Sequence, residues 1–173
     1  DELTSGRVVN SNAAWIGAEL RGAGIEPVLA VTCNDDVAEI VRYLGVCHDA
    51  AEVVIVTGGL GPTEDALTHV AVARYAGVEQ RLDEEQLAGI KRKFDAFGLP
   101  MPETNARQAM LPEGGRVLDN PNGTAPGCLV EVGGKLAVTL PGVPREMKPM
   151  LLDAVIPALR ERYGLSGVMK IRV

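Results

Sequence analysis

The chain is 173 residues long, 46% hydrophobic and 23% charged, with three cysteines, a balance that excludes both a disordered tail and a disulfide miniprotein. A length near that of one domain is enough to bury roughly 70% of the unfolded surface, so a single cored domain is expected over 1–173. The net charge of −6 opposes nucleic acid and anionic lipid at long range, and no apolar run approaches the roughly 18–20 residues of a membrane span.

Residues 11–23 read as a helix, and Pro27 to Cys33 as an apolar strand. Val37, Ile40, Val41 and Leu44 then recur at helical spacing behind Asp36, an N-cap with Glu39 three residues later. The β-branched run from Val53 to Thr57 ends in Gly-Gly-Leu-Gly, the pattern of a strand buried on both faces of a parallel sheet and followed by a tight turn. Residues 65–76 form the next helix, stopped by Gly77. Another runs from Asp83 to Phe97, with Leu87, Ile90, Phe94 and Phe97 on one face, Gln86 completing a capping box, and Gly98 and Pro100 beyond it. After residue 112 short strands alternate with turns, and Gly133-Gly134 joins two of them as a hairpin. A last helix starts at Pro144 and runs toward Tyr163, with a kink expected at Pro157. Gly167 to Val173 reads as the start of a further strand. Cys33, Cys47 and Cys128 lack CxxC spacing and read as free thiols of a reducing cytoplasm. These elements make an α/β three-layer sandwich with a mostly parallel central sheet and appended antiparallel strands.

Three loops are able to carry chemistry. Thr57 to Asp65, TGGLGPTED, leaves the carboxyl end of a parallel strand, where ligands of open α/β sheets bind. Gly58, Gly59 and Gly61 let backbone amides approach an anion, flanked by Thr57 and Thr63, so phosphate is the natural guest. A plain glycine-rich turn with Asp65 as a helix cap is the other reading. No Gly-Lys-Ser/Thr follows, and Glu64 stands where a GxGxxG fingerprint wants its third glycine, so neither nucleotide fingerprint is present. Without a loop lysine a diphosphate needs other positive charge, which Asp65, Glu64 and Glu2 supply if they hold Mg²⁺. In the second loop, Asn120 to Gly127, the residues Asn122, Gly123, Thr124 and Gly127 suit a sugar or a base edge, or else a pair of β-turns. The third, Leu140 to Met147, offers Gly142 to a second phosphate, or only initiates a helix. His48 and His69 have no nucleophile beside them, and Lys91, Arg92 and Lys93 read as a solvated helix face. Trp15, Ile16 and Leu20 read as core.

In chain order, DELTSGRVVNSNAAW, VTGGLGPTEDALT, ETNARQAMLPEGG, NPNGTAPG and LPGVPREM resemble the N-terminal domain of the competence/damage-inducible CinA family. That domain is part of the wider molybdopterin-binding MoaB/Mog-like superfamily, and the likeness spans nearly the whole chain. The resemblance implies a three-layer α/β fold, a homo-oligomer, a strand before Asp1, and a metal-dependent ADP-ribose pyrophosphatase yielding AMP and ribose 5-phosphate. On that reading Thr57 to Thr63 and Gly142 hold phosphate, and Asn122, Gly123, Thr124 and Gly127 hold the nucleoside. Asp65 and Glu2 bind Mg²⁺, Mn²⁺ or Co²⁺, and Asp65 or Glu64 orients or deprotonates water. The alternative to hydrolysis is a binding or transfer protein for molybdopterin or its adenylylated form, using a similar glycine-loop pocket, and a non-catalytic oligomerisation domain is a third reading. One departure from the family pattern stands out: where two adjacent aspartates are usual, this chain has Asp65 followed by Ala66.

Overall fold

A computed structural model of the chain describes residues 10–165. Glu2 and the stretch from Gly167 to Val173 lie outside the described residues, as does the strand expected before Asp1. The described chain folds as helix α1 (Ser11–Gly22), α2 (Val37–Ala50), strand β1 (Val53–Thr57), α3 (Thr68–Ala76), β2 (Gln80–Leu82) and α4 (Glu84–Ala96). A 3₁₀ segment (Glu103–Ala109) follows, then β3 (Met110–Pro112), β4 (Arg116–Leu118), β5 (Gly127–Val132), β6 (Lys135–Leu140), α5 (Pro144–Met150) and α6 (Ile156–Tyr163).

Local chemistry explains most of these boundaries. The Asp36 carboxylate accepts from the Glu39 N–H at 2.8 Å and the Asp83 carboxylate from Gln86 N–H at 2.9 Å, each satisfying an otherwise orphan donor of the first helical turn. Gly133 and Gly134 both take positive φ, 58° and 87°, as a two-residue type I′ turn demands. The kink expected near Pro157 takes the form of a π-helical turn over Leu151–Val155 between α5 and α6. Proline has no N–H to give the preceding turn, and the wider i→i+5 spacing absorbs the missing bond.

The strand order is β1-β6-β5-β4, with β1 parallel to β6, and β6–β5 and β5–β4 antiparallel. The antiparallel additions are as expected, and the parallel component among the described residues is the β1–β6 pair. Alternation along β6 builds both faces of the sheet. Leu136, Val138 and Leu140 face a core shared with Ile16 and Leu20 of α1 and with Met147, Leu151 and Leu159, whereas Ala137 joins Ile40, Leu44 and Val72 of α2 and α3. Helices on both faces of one sheet are the expected three layers. Ile16 and Leu20 are core as read from the sequence, while Trp15 is only partly buried, its ring under the Lys148 ammonium at 4.9 Å.

Two expectations are corrected. Pro27 to Cys33 is not a strand: it makes no strand pairing among the described residues, and Val28 is 61% exposed. A strand exists only where a neighbour satisfies its N–H and C=O groups. This segment and the whole of β1 instead line one cavity of about 510 Å³ together with residues of α1 and α2. Helix α3 begins at Thr68 rather than at residue 65, and its N-cap position, Leu67, has no side-chain hydrogen bond. Asp65 therefore lies in a turn before the helix and caps nothing, because the chain first closes a Thr63 C=O to Ala66 N–H bond at 3.1 Å.

Candidate functional site

The sheet topology brings the three loops to one end. Because β1 and β6 are parallel with Thr57 opposite Leu140, the turns that follow them leave the same edge. Because β5 is antiparallel to β6, with Cys128 opposite Thr139, the loop that enters β5 arrives there as well.

The first turn is held from beneath. Gly58 N–H donates to the Leu140 carbonyl at 2.9 Å, Thr68 N–H to the Gly59 carbonyl at 3.2 Å, and the Thr68 hydroxyl to the Gly58 carbonyl at 2.8 Å. Gly58 and Gly59 have φ of 97° and 65°, in the left-handed region. A Cβ on Gly59 would stand 2.3 Å from the Thr68 hydroxyl oxygen, so that position is closed to side chains. This scaffold uses the carbonyls of the turn but not its following amides: among the described residues the N–H groups of Gly59, Leu60 and Gly61 have no hydrogen-bond acceptor. Consecutive unpaired amides with glycine torsions form an anion-binding concavity. Thr63, Glu64 and Asp65 are exposed beyond it. The Thr63 side chain donates to the Asp65 carboxylate and, with a backbone hydrogen bond, holds that group below its ordinary pKa, so it is ionised at neutral pH.

The turn after β6 packs directly against the first, since a Cβ on Gly142 would approach the Gly58 Cα to 3.2 Å. Asn12 of α1 ties this turn down by donating to the Gly142 carbonyl at 2.7 Å.

The loop from 120 to 126 is organised quite differently. Asn120 is buried; it donates to the Ala125 carbonyl at 2.9 Å and to the Glu146 carboxylate at 2.8 Å, and accepts from Asn122 N–H at 3.1 Å. The Asn122 side chain, expected to touch a nucleoside, donates to the Arg145 carbonyl at 2.8 Å. Gly123 leaves no room beyond the Glu146 carboxylate, which a Cβ would approach to 2.0 Å. Gly127 is buried in β5, and a Cβ there would come within 2.4 Å of the Thr139 carbonyl oxygen. The Asn122 amide nitrogen and the space at Gly123 and Gly127 are thus taken up by contacts within the protein, while Asn122 itself stays exposed. Thr124 is half-buried, with no hydrogen bond from its side chain among the described residues. Lys93, read as part of a solvated face, donates at 2.6 Å to the carbonyls of both Asn120 and Gly123. Desolvation lowers its pKa, opposed by Asp119 and Glu146.

Glu64 and Asp65 are neighbours on an exposed turn, and Mg²⁺ usually takes one or two carboxylates beside substrate phosphate; Glu2 lies outside the described residues. No group of three His, Cys, Asp or Glu side chains is placed to hold an ion among the described residues. Nor is there a thiolate nucleophile, since burial pushes the Cys128 thiol up to about 12 and also raises Cys33 and Cys47.

Sequence reasoning passed over Thr68, Asn12, Asn120 and Glu146 as working parts, along with His69 and Arg107, which border the glycine turn. Thr68 depends on a partner 10 residues away and Asn12 on one 130 residues away, beyond what local spacing encodes.

A family model described as "Probable molybdopterin binding domain" matches residues 1–161. A CinA-like protein of Frankia casuarinae is 41% identical over 100% of this chain and 41% of its own length, so the chain spans less than half of that relative. A protein of Pyrobaculum calidifontis is 44% identical over 94% of this chain and 62% of its own. The crystal structure of CinA from Thermoplasma acidophilum superposes with a TM-score of 0.82 at 38% identity, covering 90% of this chain and 92% of that one. The molybdopterin biosynthesis enzyme MoaB of Thermus thermophilus, at 19% identity, shares the fold, with a TM-score of 0.61 over 95% of this chain and 91% of its own.

Proposed function

From a chain that belongs to the family of probable molybdopterin binding domains, and within it to the CinA-like proteins, we propose a small-molecule binding function: the turn over 58–61 holds the phosphate-bearing end of a pterin ligand of the molybdopterin class. The observation that carries this reading is the run of three amides, Gly59, Leu60 and Gly61, with no acceptor among the described residues at the carboxyl end of β1. An anion placed there meets preorganised N–H donors at no cost in rearrangement. The turn carries no lysine, which suits a ligand held by geometry as well as charge. The reading also takes the functional unit to be a homo-oligomer in the cytoplasm, and sedimentation of the purified chain tests the first of these. No described helix is long and apolar enough to cross a membrane.

Hydrolysis of ADP-ribose to AMP and ribose 5-phosphate competes for the same turn, with the ionised, exposed Asp65 in its favour. It needs a metal, for which Asp65 and Glu64 are the described carboxylates at the turn. One experiment separates the two: the chain is incubated with molybdopterin or with ADP-ribose, in Mg²⁺, Mn²⁺ or Co²⁺ and in chelator. Retention of molybdopterin in chelator, with no AMP formed in any metal, is the expected result. Metal-dependent AMP release without pterin retention replaces the binding reading with the hydrolytic one.

A further inference from the structure

We propose that a small cavity beside the glycine turn is the subsite for one phosphate group of the ligand, with Arg107 supplying its charge and His69 a neutral N–H donor. The inference rests on the reading of the turn as an anion site and deepens it. The cavity, of about 90 Å³, is lined by Gly59, Leu60 and Gly61 on one side and by His69, Arg107 and Gln108 among the others. That volume suits one tetrahedral anion and is too small for a fused ring system.

Three observations select an anion as the occupant. Among the described residues no carboxylate lines the cavity, and Ala66 stands in its wall. Arg107 is exposed and forms no ion pair among the described residues, so its guanidinium is available to a phosphate, the partner its planar fork fits best. It also supplies the positive charge that the turn itself lacks.

The third concerns His69. Its Nε2 lies 2.9 Å from the Thr139 hydroxyl, which accepts from Cys128 N–H at 2.8 Å and has the Cys128 carbonyl at 3.4 Å as its alternative acceptor. With the hydroxyl's single proton given to the nearer acceptor, His69 Nε2, the ring proton would reside on Nδ1. No described group takes a proton from Nδ1, and His69 is among the residues lining the cavity. Burial holds the ring neutral, with its pKa lowered to about 4. Gln108 fixes the floor by donating to the Leu60 carbonyl at 3.3 Å and accepting from Asn105 at 3.0 Å. The ETNARQAM segment thus acquires a function: its 3₁₀ turn carries Arg107 and Gln108 to the glycine turn.

Titration calorimetry with inorganic phosphate as probe tests this, with molybdopterin titrated into the same variants. Arg107→Gln is expected to weaken phosphate binding about tenfold, and the Arg160→Gln control, which changes charge equally at an exposed site on α6, to leave it within twofold. His69→Gln places an amide near the Nε2 position, keeping the Thr139 contact while deleting the cavity nitrogen; about a threefold weakening is expected. Ala66→Asp puts a carboxylate into the wall and should weaken phosphate as well. Thermal melts of each variant confirm folding. Phosphate affinity within twofold of the parent in Arg107→Gln, or no phosphate binding by the parent at millimolar concentration, overturns the subsite. Molybdopterin affinity unchanged in Arg107→Gln overturns its assignment to this ligand. A parent that binds phosphate through Arg107 but not molybdopterin upholds the subsite and removes the pterin reading instead.

Discussion

The glycine turn after β1 and the loop entering β5 are alike in composition and in position at one end of the sheet, yet they spend their polar groups in opposite ways. In the 120–126 loop, Asn120, Asn122, Lys93 and Glu146 form an internal latch in which each side chain already has a protein partner. In the 58–61 turn the scaffold bonds fall on Gly58 N–H and on the carbonyls of Gly58 and Gly59, and the next three amides have no acceptor among the described residues. Richness in glycine and asparagine therefore does not identify a binding loop. What identifies it is donors left over after the fold has taken what it needs. On the proposed reading the latch is structural and the turn is the binding element.

That division is open to breakage, most forcefully at the latch. Asn120→Ala removes three hydrogen bonds from a buried position and strands the Glu146 carboxylate, a loss of about 3 kcal/mol, which for a chain of this size lowers Tm by roughly 6–12 °C. Phosphate affinity should stay within twofold of the parent. Differential scanning calorimetry beside phosphate titration checks both, and a fall in affinity as large as that of Arg107→Gln would merge the two loops into one site.

The turn side of the comparison predicts an acid sensitivity. His69 is buried and its pKa is lowered to about 4, whereas an unfolded histidine titrates near 6.5. The unfolded state therefore binds more protons between those values, so stability is complete above about pH 6.5 and falls as pH drops toward 4, by about 3 kcal/mol in all. Urea unfolding across this window should show the slope, and His69→Gln should remove most of it.

A smaller effect is expected at Gly59. Alanine there sits at φ 65° and meets the Thr68 hydroxyl, which must leave the Gly58 carbonyl. The combined cost is about 2 kcal/mol, and the turn loses the geometry that aligns its amides. Unlike Asn120→Ala, Gly59→Ala should weaken phosphate binding more than it lowers Tm. The opposite ranking would show that the amides are not the binding element.

What the sequence made legible follows the range of the forces involved. The caps at Asp36 and Asp83, the Gly133-Gly134 hairpin and the β1 strand depend on neighbours within a few residues, and each appears as expected. Convergence of the three loops follows from strand pairing, β1 parallel to β6 and β5 antiparallel to it. The Pro27 to Cys33 strand failed because pairing is decided by a partner rather than by apolar character. Lys93 was misread because helical spacing identifies the polar face but not the loop carbonyls that come to rest on it. His69 and Arg107 escaped notice for the same reason, their neighbours lying on the far side of the sheet order or of the chain.

The smallest expected effect sharpens the comparison most at the acidic end of the glycine turn. If Asp65 were a helix cap, its replacement by alanine would destabilise α3. Here α3 begins three residues later, its N-cap position has no side-chain hydrogen bond, and the Asp65 carboxylate is fully exposed, bonded only by Thr63 and nearby backbone. Both Asp65→Asn and Asp65→Ala are therefore expected to melt at the parent temperature. Phosphate affinity should rise slightly in both, since removing a negative charge a few residues from an anion site lowers repulsion that water and salt already screen. The rise should vanish at high salt. A drop in affinity would instead assign the carboxylate to ligand binding, and a drop in Tm for alanine alone would restore its capping role.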